Sequence, residues 1–269
     1  MISDEELTAL MQAINNRYGL DFTNYERSSL KRGIVRLMMK HKMESIIELW
    51  SLILRDNEFF LGAIDDLLVN LTELFRNPDV WIKLRDTIIP DLSGRPLKIW
   101  HAGCSTGEEV YTMNIVLETL NLLNNSKLIA TDLSSTALGK ARKGDYSLVT
   151  LKQYLVPFLK FLPNRDMADY FDYHDKHATI KSKYQTNVSF KKHNLVMEPM
   201  GEKFDIIFCR NVMIYFDETL KNRVLDLLHS CLKDDGFLII GYYDIMPDYG
   251  KNKFSIYDVK TRIYRKIAH

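Results

Sequence analysis

Three cysteines in 269 residues are too few for a disulfide framework and fit a reducing compartment. An excess of one charge is missing too. Thirty-six Lys and Arg stand against 35 Asp and Glu, leaving +1 at pH 7. No global field therefore favours nucleic acid, and no nucleic-acid partner is expected. No apolar run approaches the ~20 residues that cross a bilayer, so membrane insertion is not expected. The opening Met1-Ile-Ser-Asp-Glu-Glu6 is acidic where a secretory leader is basic and then apolar. These absences together predict a cytoplasmic protein. Internal repeats and low-complexity linkers are also lacking. What remains is 46% hydrophobic and 26% charged, enough to build a full-sized core.

Residues 1–90 show helical periods and no good strand. Glu5–Tyr18 sets Leu7, Leu10, Met11 and Ile14 on one face, and Tyr25–Lys42 does the same with Leu30, Ile34, Leu37 and Met38. Ser45–Leu54 and Asn57–Leu68 continue the pattern. A helical domain over 1–70, a helical connector over 71–90 and a larger domain over 91–269 are predicted. In the larger domain apolar strands (Leu97–Gly103, Lys127–Leu133, Phe204–Arg210, Phe237–Tyr242) alternate with helices (Glu108–Leu122, Thr136–Lys143, Asp217–Leu232). That alternation implies a largely parallel sheet covered on both faces. Asp234-Asp-Gly236 reads as a turn before the last of these strands, and Phe254–Ile267 offers two short extended pieces. Residues 155–193 break the rhythm and read as a hairpin-containing insertion beside the active-site edge.

The stretch Leu97-Lys-Ile-Trp-His-Ala-Gly-Cys-Ser-Thr-Gly-Glu-Glu-Val-Tyr111 carries the most information. A buried strand leads into a turn with almost no side-chain bulk, where a ligand can approach backbone amides. Glu108 and Glu109 then open a helix, with Ser105/Glu108 or Thr106/Glu109 at capping-box spacing. Two carboxylates there repel a phosphate and suit a ligand with hydroxyls or a positive centre. The crevice is thereby tilted from NAD towards S-adenosylmethionine. The Gly103-x-x-x-Gly107 spacing also lacks the dinucleotide fingerprint.

Asp132 ends the second strand, where a carboxylate can accept both ribose hydroxyls. The plainer alternative is a cap on the following helix, since Ser134 and Ser135 come next. Phe204–Cys209 delivers Arg210 and Asn211 to the same edge, with Tyr215 one helical turn later. Tyr215 either lines the transferring methyl group or packs the connection. Thr72 and Arg76, four apart, are expected on one helix face, where Arg76 either pairs with a carboxylate or is simply solvated.

Thr72-Glu-Leu-Phe-Arg76, Ser105-Thr-Gly-Glu-Glu109, Ala130-Thr-Asp132 and Cys209-Arg-Asn-Val-Met-Ile-Tyr-Phe-Asp217 resemble the chemotaxis receptor glutamate O-methyltransferases, the CheR family. The resemblance covers nearly the whole chain. It implies a Rossmann-like S-adenosylmethionine-dependent methyltransferase sheet, a helical N-terminal domain and an inserted small β-subdomain. The implied cofactor is S-adenosylmethionine, with S-adenosylhomocysteine as product. The implied activity is methylation of glutamate side chains on the cytoplasmic helices of chemoreceptors. By matching position, Thr72, Arg76, Gly103, Glu109, Asp132, Asn194, Leu195, Asn211 and Tyr215 surround the cofactor. Asn194 and Leu195 lie near the adenine, and Arg76 and Tyr215 closest to the methyl donor, as the catalytic pair.

The chain departs from the family pattern at three places. Val110 replaces a proline, Leu74-Phe75 replaces paired phenylalanines, and Gly241-Tyr-Tyr-Asp244 stands in place of Gly-His-Ser-Glu. The last is expected to alter the crevice wall or the substrate. It also keeps open a second reading, a domain that binds the cofactor, its product or a partner without turnover. A third reading is transfer to a small acid or a nucleic acid.

Arg27, Lys31, Arg32, Arg36, Lys40 and Lys42 put six positive charges into residues 27–42 with no acid among them. Chemoreceptor methylation helices are acidic, so Arg27, Lys31, Arg32 and Arg36 are expected to steer docking. A solvated face is the plain alternative, and such a helix can also touch membrane or RNA. Glycine is absent from Asp145 to Met200, whereas some family members grip a receptor-tail pentapeptide through a glycine-bearing loop. That absence argues against binding the tail. Asp172, His174, Asp175 and His177 match no zinc spacing and read as a solvated hairpin, so no metal is expected.

Overall fold

A computed structural model of the chain describes residues 2–67, 72–92 and 94–268. The first helices are α1 (Asp4–Tyr18), α2 (Arg27–Lys40), α3 (Ile46–Arg55) and α4 (Asn57–Leu67). Side-chain oxygens take up orphan N–H groups at their starts. Ser3 and Glu6 close a capping box on α1, Glu26 accepts from Ser28 and Ser29 on α2, and Ser45 accepts from Glu48 on α3. Leu68, where α4 was expected to end, and Leu71, at the head of the connector, lie outside the described residues.

The connector is not the continuous helix expected. Thr72–Asn77 forms a turn, with Phe75 and Asn77 at φ 54° and 56°. Thr72 and Arg76 therefore do not share a helix face. Proline at position 78 disfavours helix at the residue before it and starts one well. The helix accordingly begins at α5 (Pro78–Lys83), widens by one turn over Leu84–Ile88 and ends in α6 (Ile89–Leu92).

Next come β1 (Leu97–Ala102), α7 (Glu108–Thr119), β2 (Ser126–Asp132) and α8 (Ser135–Lys143). The insertion follows, with β3 (Asp145–Ser147), α9 (Leu148–Gln153), α10 (Leu155–Phe161), β4 (Phe171–His174) and β5 (His177–Ile180). The chain closes through β6 (Val188–Lys192), β7 (Phe204–Cys209), α11 (Glu218–Cys231), β8 (Leu232–Ile240), α12 (Asp248–Lys251), β9 (Phe254–Asp258) and β10 (Ile263–Lys266). Among the described residues, seven strands form one sheet in the order β6-β2-β1-β7-β8-β10-β9. The first five are parallel, and β10 runs antiparallel to both its neighbours. This is a Rossmann-like sheet whose order reverses between β1 and β7, the position where such sheets open a crevice.

The insertion differs from its expected bounds of 155–193. Its three-stranded sheet, β3-β5-β4, begins at Asp145, and Val188–Lys192 belongs to the main sheet beside β2. The turn expected at Asp234-Asp-Gly236 is also absent as a break. Those residues lie within β8 as a register shift opposite β7, held by Arg95 on Asp205 and Asp235 and by Lys233 on Asp205. Two cores result. One sheet face packs with α7, residues 78–92 and the insertion. The other face joins α11 and the helical domain in one continuous apolar cluster, so the two domains are not separately packed.

Candidate functional site

The turn after β1 is shaped by backbone conformations that small residues tolerate. Gly103 and Gly107 have φ of 84° and 94°, and Ser105 has 48°. A Cβ on Gly103 would come within 2.5 Å of Val212 Cγ2, so glycine lets the turns after β1 and β7 meet. The N–H groups of Gly103 and Cys104 both donate to the Thr131 carbonyl (2.8 and 2.9 Å). Asp132 then joins two turns, with Oδ2 accepting from Ser105 N–H (2.7 Å) and Oδ1 from Ser134 N–H (2.9 Å). The helix cap itself is Ser134, whose hydroxyl accepts from Ala137.

Neither proposed capping box forms. Gly107 is the residue before α7 and offers no side-chain cap. The two glutamates part company. Glu108 turns into the protein, where it accepts from Thr106 Oγ1 (2.6 Å) and from the Tyr154 hydroxyl of the insertion (3.3 Å). Burial pushes its carboxyl up to about 7, and those bonds only partly oppose the rise. Glu109 turns to the crevice with both oxygens engaged, one by His101 Nδ1 (2.9 Å) and one by Arg210 (3.0 Å). Burial alone would raise its pKa, but the His101 bond and the Arg210 charge more than offset this, and the net shift is downward. Only one of the two carboxylates therefore faces a ligand.

Arg210 is the residue whose role the sequence left unassigned. Its side chain is buried, and besides Glu109 it donates to the Arg76 carbonyl (3.0 Å) and Asn77 Oδ1 (2.7 Å). Its guanidinium lies 5.6 Å from the Trp81 ring, and Trp81 Nε1 donates to the same Arg76 carbonyl (3.0 Å). Phe75 N–H donates to Thr112 Oγ1 (3.0 Å), and Tyr154 reaches the Thr72 carbonyl (3.2 Å). These tertiary bonds replace the helical ones expected over 72–76. A charged residue ending the apolar run Phe204–Cys209 was the available signal.

Asp244 is the second such residue. Its Oδ2 accepts from Asn211 N–H (2.6 Å) and Gly241 N–H (2.8 Å). Asn211 sits at φ 58°, and a Cβ on Gly241 would come within 2.7 Å of it. The departure Gly241-Tyr-Tyr-Asp244 thus supplies a buried carboxylate that fixes the Asn211 backbone. Burial lifts that carboxyl to about 6 against the pull of its backbone donors.

Thr72, Arg76, Gly103, Glu109, Asp132, Asn194, Leu195, Asn211 and Tyr215 all border one crevice at the carboxyl ends of β1, β2, β6 and β7. Its empty space comes to about 990 Å³ with the open solvent at its mouth included. Tyr25, His193, Arg210 and Phe216 also border it. Cys104 lies in its wall, buried, its thiol driven up by burial and then by Asp132 and Glu109, which leaves little thiolate to react with oxidants.

A second groove opens beside the first, lined by Ser29, Arg32, Arg36, Ile214 and Tyr243 and by Arg76, Asn211 and Tyr215. The last three residues border both. Burial raises the Tyr215 hydroxyl pKa, while the charges of Arg36 and Arg76 draw it down. The four basic residues expected to dock a partner therefore divide. Arg32 and Arg36 border this groove, whereas Arg27 and Lys31 both pair with Asp4 of α1 (3.2 and 2.9 Å). In the insertion, His177 Nδ1 lies 3.1 Å from Asp145 Oδ2.

Residues 70–263 match the family described as CheR methyltransferase, SAM binding domain, and residues 5–68 match CheR methyltransferase, all-alpha domain. The Cher3 protein of Pseudomonas putida is 34% identical over 89% of this chain and 88% of its own length. The chemotaxis protein methyltransferase of Borreliella burgdorferi is 32% identical over 90% of this chain and 88% of its own. Among solved structures, the N-methyltransferase NodS of Bradyrhizobium japonicum, in complex with S-adenosyl-L-homocysteine, overlays 62% of each chain at 15% identity with a TM-score of 0.35. Among the described residues no helix is long and apolar enough to cross a membrane.

Proposed function

Because the chain belongs to the CheR methyltransferase family, with S-adenosylmethionine as its cofactor, we propose that it methylates glutamate carboxylates on the cytoplasmic helices of chemoreceptors. One observation carries this reading. The crevice suited to the cofactor and the arginine-bordered groove share Arg76, Asn211 and Tyr215, so donor and acceptor meet at those three residues. The crevice also fits the cofactor chemically. It offers an Asp132 carboxylate for sugar hydroxyls, and the Ser105 hydroxyl beside it is buried without a hydrogen-bond partner.

When bound, S-adenosylmethionine supplies an electrophilic methyl group on a positively charged sulfur. An acceptor glutamate has a reference pKa of about 4.3 and is already ionised at neutral pH, so the chain need not supply a base. Its residues align the two partners and exclude water. Arg76 and Tyr215 stand where the methyl group passes, Asp132 holds the ribose, and Asn194 and Leu195 wall the adenine. Arg32 and Arg36 attract the acidic helix. Arg27 and Lys31, tied to Asp4, are assigned no part in docking. The protein works in the cytoplasm on this reading.

Labelled methyl transfer to receptor helices, with a product released by mild base, is the expected result. Cofactor binding with no transfer would instead leave a sensing domain, and a base-stable product on another molecule would move the acceptor elsewhere. Arg76→Ala is expected to weaken S-adenosylhomocysteine binding about five- to thirtyfold in calorimetry, the loss of one charge-assisted contact. Tyr215→Phe should weaken it less. Unchanged binding and turnover in Arg76→Ala would remove Arg76 from the site.

Reversing two charges with Arg32→Glu and Arg36→Glu should raise the KM for receptor helices about tenfold, more at low salt than at high. Affinity for S-adenosylhomocysteine should stay within about twofold, since both side chains are exposed and neither borders the cofactor crevice. A variant that loses cofactor affinity and keeps its KM would overturn the docking assignment.

A further inference from the structure

The helical domain reaches into the crevice itself. The segment between α1 and α2 crosses to the turn after β7, where Glu26 N–H donates to the Tyr215 carbonyl (2.8 Å) and Asp217 N–H donates to the Asn24 carbonyl (2.9 Å). Between these bonds Tyr25 and Phe216 form an isolated antiparallel bridge. The Tyr25 ring stands edge-on to Phe22 (4.9 Å) and to Phe216 (5.1 Å), which locks its orientation. The residue is 9% exposed and borders the same crevice as Gly103, Asp132 and Asn194. Its hydroxyl has no hydrogen-bond partner among the described residues. Burial and then the Asp132 carboxylate push its pKa up, so at neutral pH it is a protonated donor facing a negative charge.

The ring is fixed by its neighbours, while the hydroxyl borders the crevice and is a donor that a ligand there can engage. Asp132 lies at the sugar end of the crevice on the reading above, so the group that meets the phenol is the adenosyl part of the cofactor. We propose that Tyr25 is a cofactor-binding residue contributed by the helical domain, its hydroxyl bonding to the polar edge of the adenosyl group beside Asp132. The position is one residue before Glu26, the cap of α2, whose Arg32 and Arg36 border the neighbouring groove. Cofactor binding therefore bears on the placement of the docking helix, and the two affinities are linked in both directions. This inference rests on the crevice being the S-adenosylmethionine site.

Calorimetry on the full chain tests it with two probes, S-adenosylhomocysteine and adenosine. Tyr25→Phe is expected to weaken both by about three- to tenfold, the loss of one hydrogen bond to a neutral group. Arg76→Ala should weaken only the first, because adenosine lacks the methionine part. Tyr25→Phe keeps both ring contacts and should unfold at the temperature of the parent chain, so a fall in affinity would not reflect damage to the fold. Parent-like affinity for both probes in Tyr25→Phe would overturn the Tyr25 assignment and leave the crevice reading intact. A parent chain that binds neither probe would overturn the crevice reading and this inference together.

Discussion

Arg210→Ala is expected to cost about 3–5 kcal/mol of folding stability and to abolish measurable binding of S-adenosylhomocysteine. The size follows from what the side chain leaves behind. Glu109 is largely shielded from solvent at the crevice wall, and Arg210 and His101 engage its two oxygens and favour its charged form. Removing the guanidinium takes the buried partner from a largely desolvated carboxylate and leaves it only His101, a costly outcome for such a pair. The Arg76 carbonyl and Asn77 Oδ1 lose the same donor, so the Thr72–Asn77 turn loosens at the position where Arg76 enters the crevice. Urea unfolding reads the first effect and calorimetry the second. The pairing of Arg210→Met with Glu109→Gln should recover part of the stability, because no uncompensated charge remains, while binding stays lost. A loss below about 1 kcal/mol in Arg210→Ala would mean that Glu109 finds water or another partner, and the account of this triad would fail.

What could be read from the sequence follows the range of the forces involved. β1, β2 and β7 each centre on an apolar run (Ile99-Trp100, Leu128-Ile-Ala130 and Ile206-Ile-Phe-Cys209), and a strand buried on both faces announces itself that way. Asp132 and the small-residue turn lie directly after such runs, so their place at a shared edge follows from the parallel sheet alone. Val188–Lys192 was harder. As the edge strand beside β2 it carries Ser189, Lys191 and Lys192 and lacks the apolar run, and its assignment depends on the pairing Leu128↔Val188 through Asp132↔Lys192. Thr72–Asn77 has helical spacing but takes its hydrogen bonds from Thr112, Tyr154 and Arg210, up to 134 positions away in the chain. No local pattern carries those partners. Tyr25 is the extreme case. Its neighbours in sequence make it a helix lead-in, and only the crossing to Phe216 turns it into a wall of the crevice.

Glu108 shows how one such buried group should set the pH dependence of stability. Its carboxyl rises from an ordinary 4.5 to about 7 in the fold, so the folded state holds the proton more tightly than the unfolded chain. The stabilisation is fully present below about pH 4.5 and is lost as pH rises through about 7, amounting to about 3 kcal/mol. Asp244, lifted from 3.8 to about 6, acts in the same direction over a lower window. Carboxylates with depressed values, such as Glu109, act oppositely, so the whole-protein profile mixes both signs. A comparison with Glu108→Gln isolates one group. The amide, like the neutral acid, accepts at one atom and donates at the other, and the Thr106 and Tyr154 hydroxyls can take either role, so the variant should match the parent near pH 4.5 and exceed it by about 2–3 kcal/mol at pH 8. Urea unfolding at several pH values measures that difference, and a gap that does not change with pH would show that Glu108 is not held as a buried neutral acid. The effect lies at the contact between the insertion and the cofactor turn, because Tyr154 bonds both Glu108 and the Thr72 carbonyl. Ionising Glu108 therefore strains the support of Thr72, and cofactor affinity in the parent chain should weaken over the same pH interval while that of Glu108→Gln stays level.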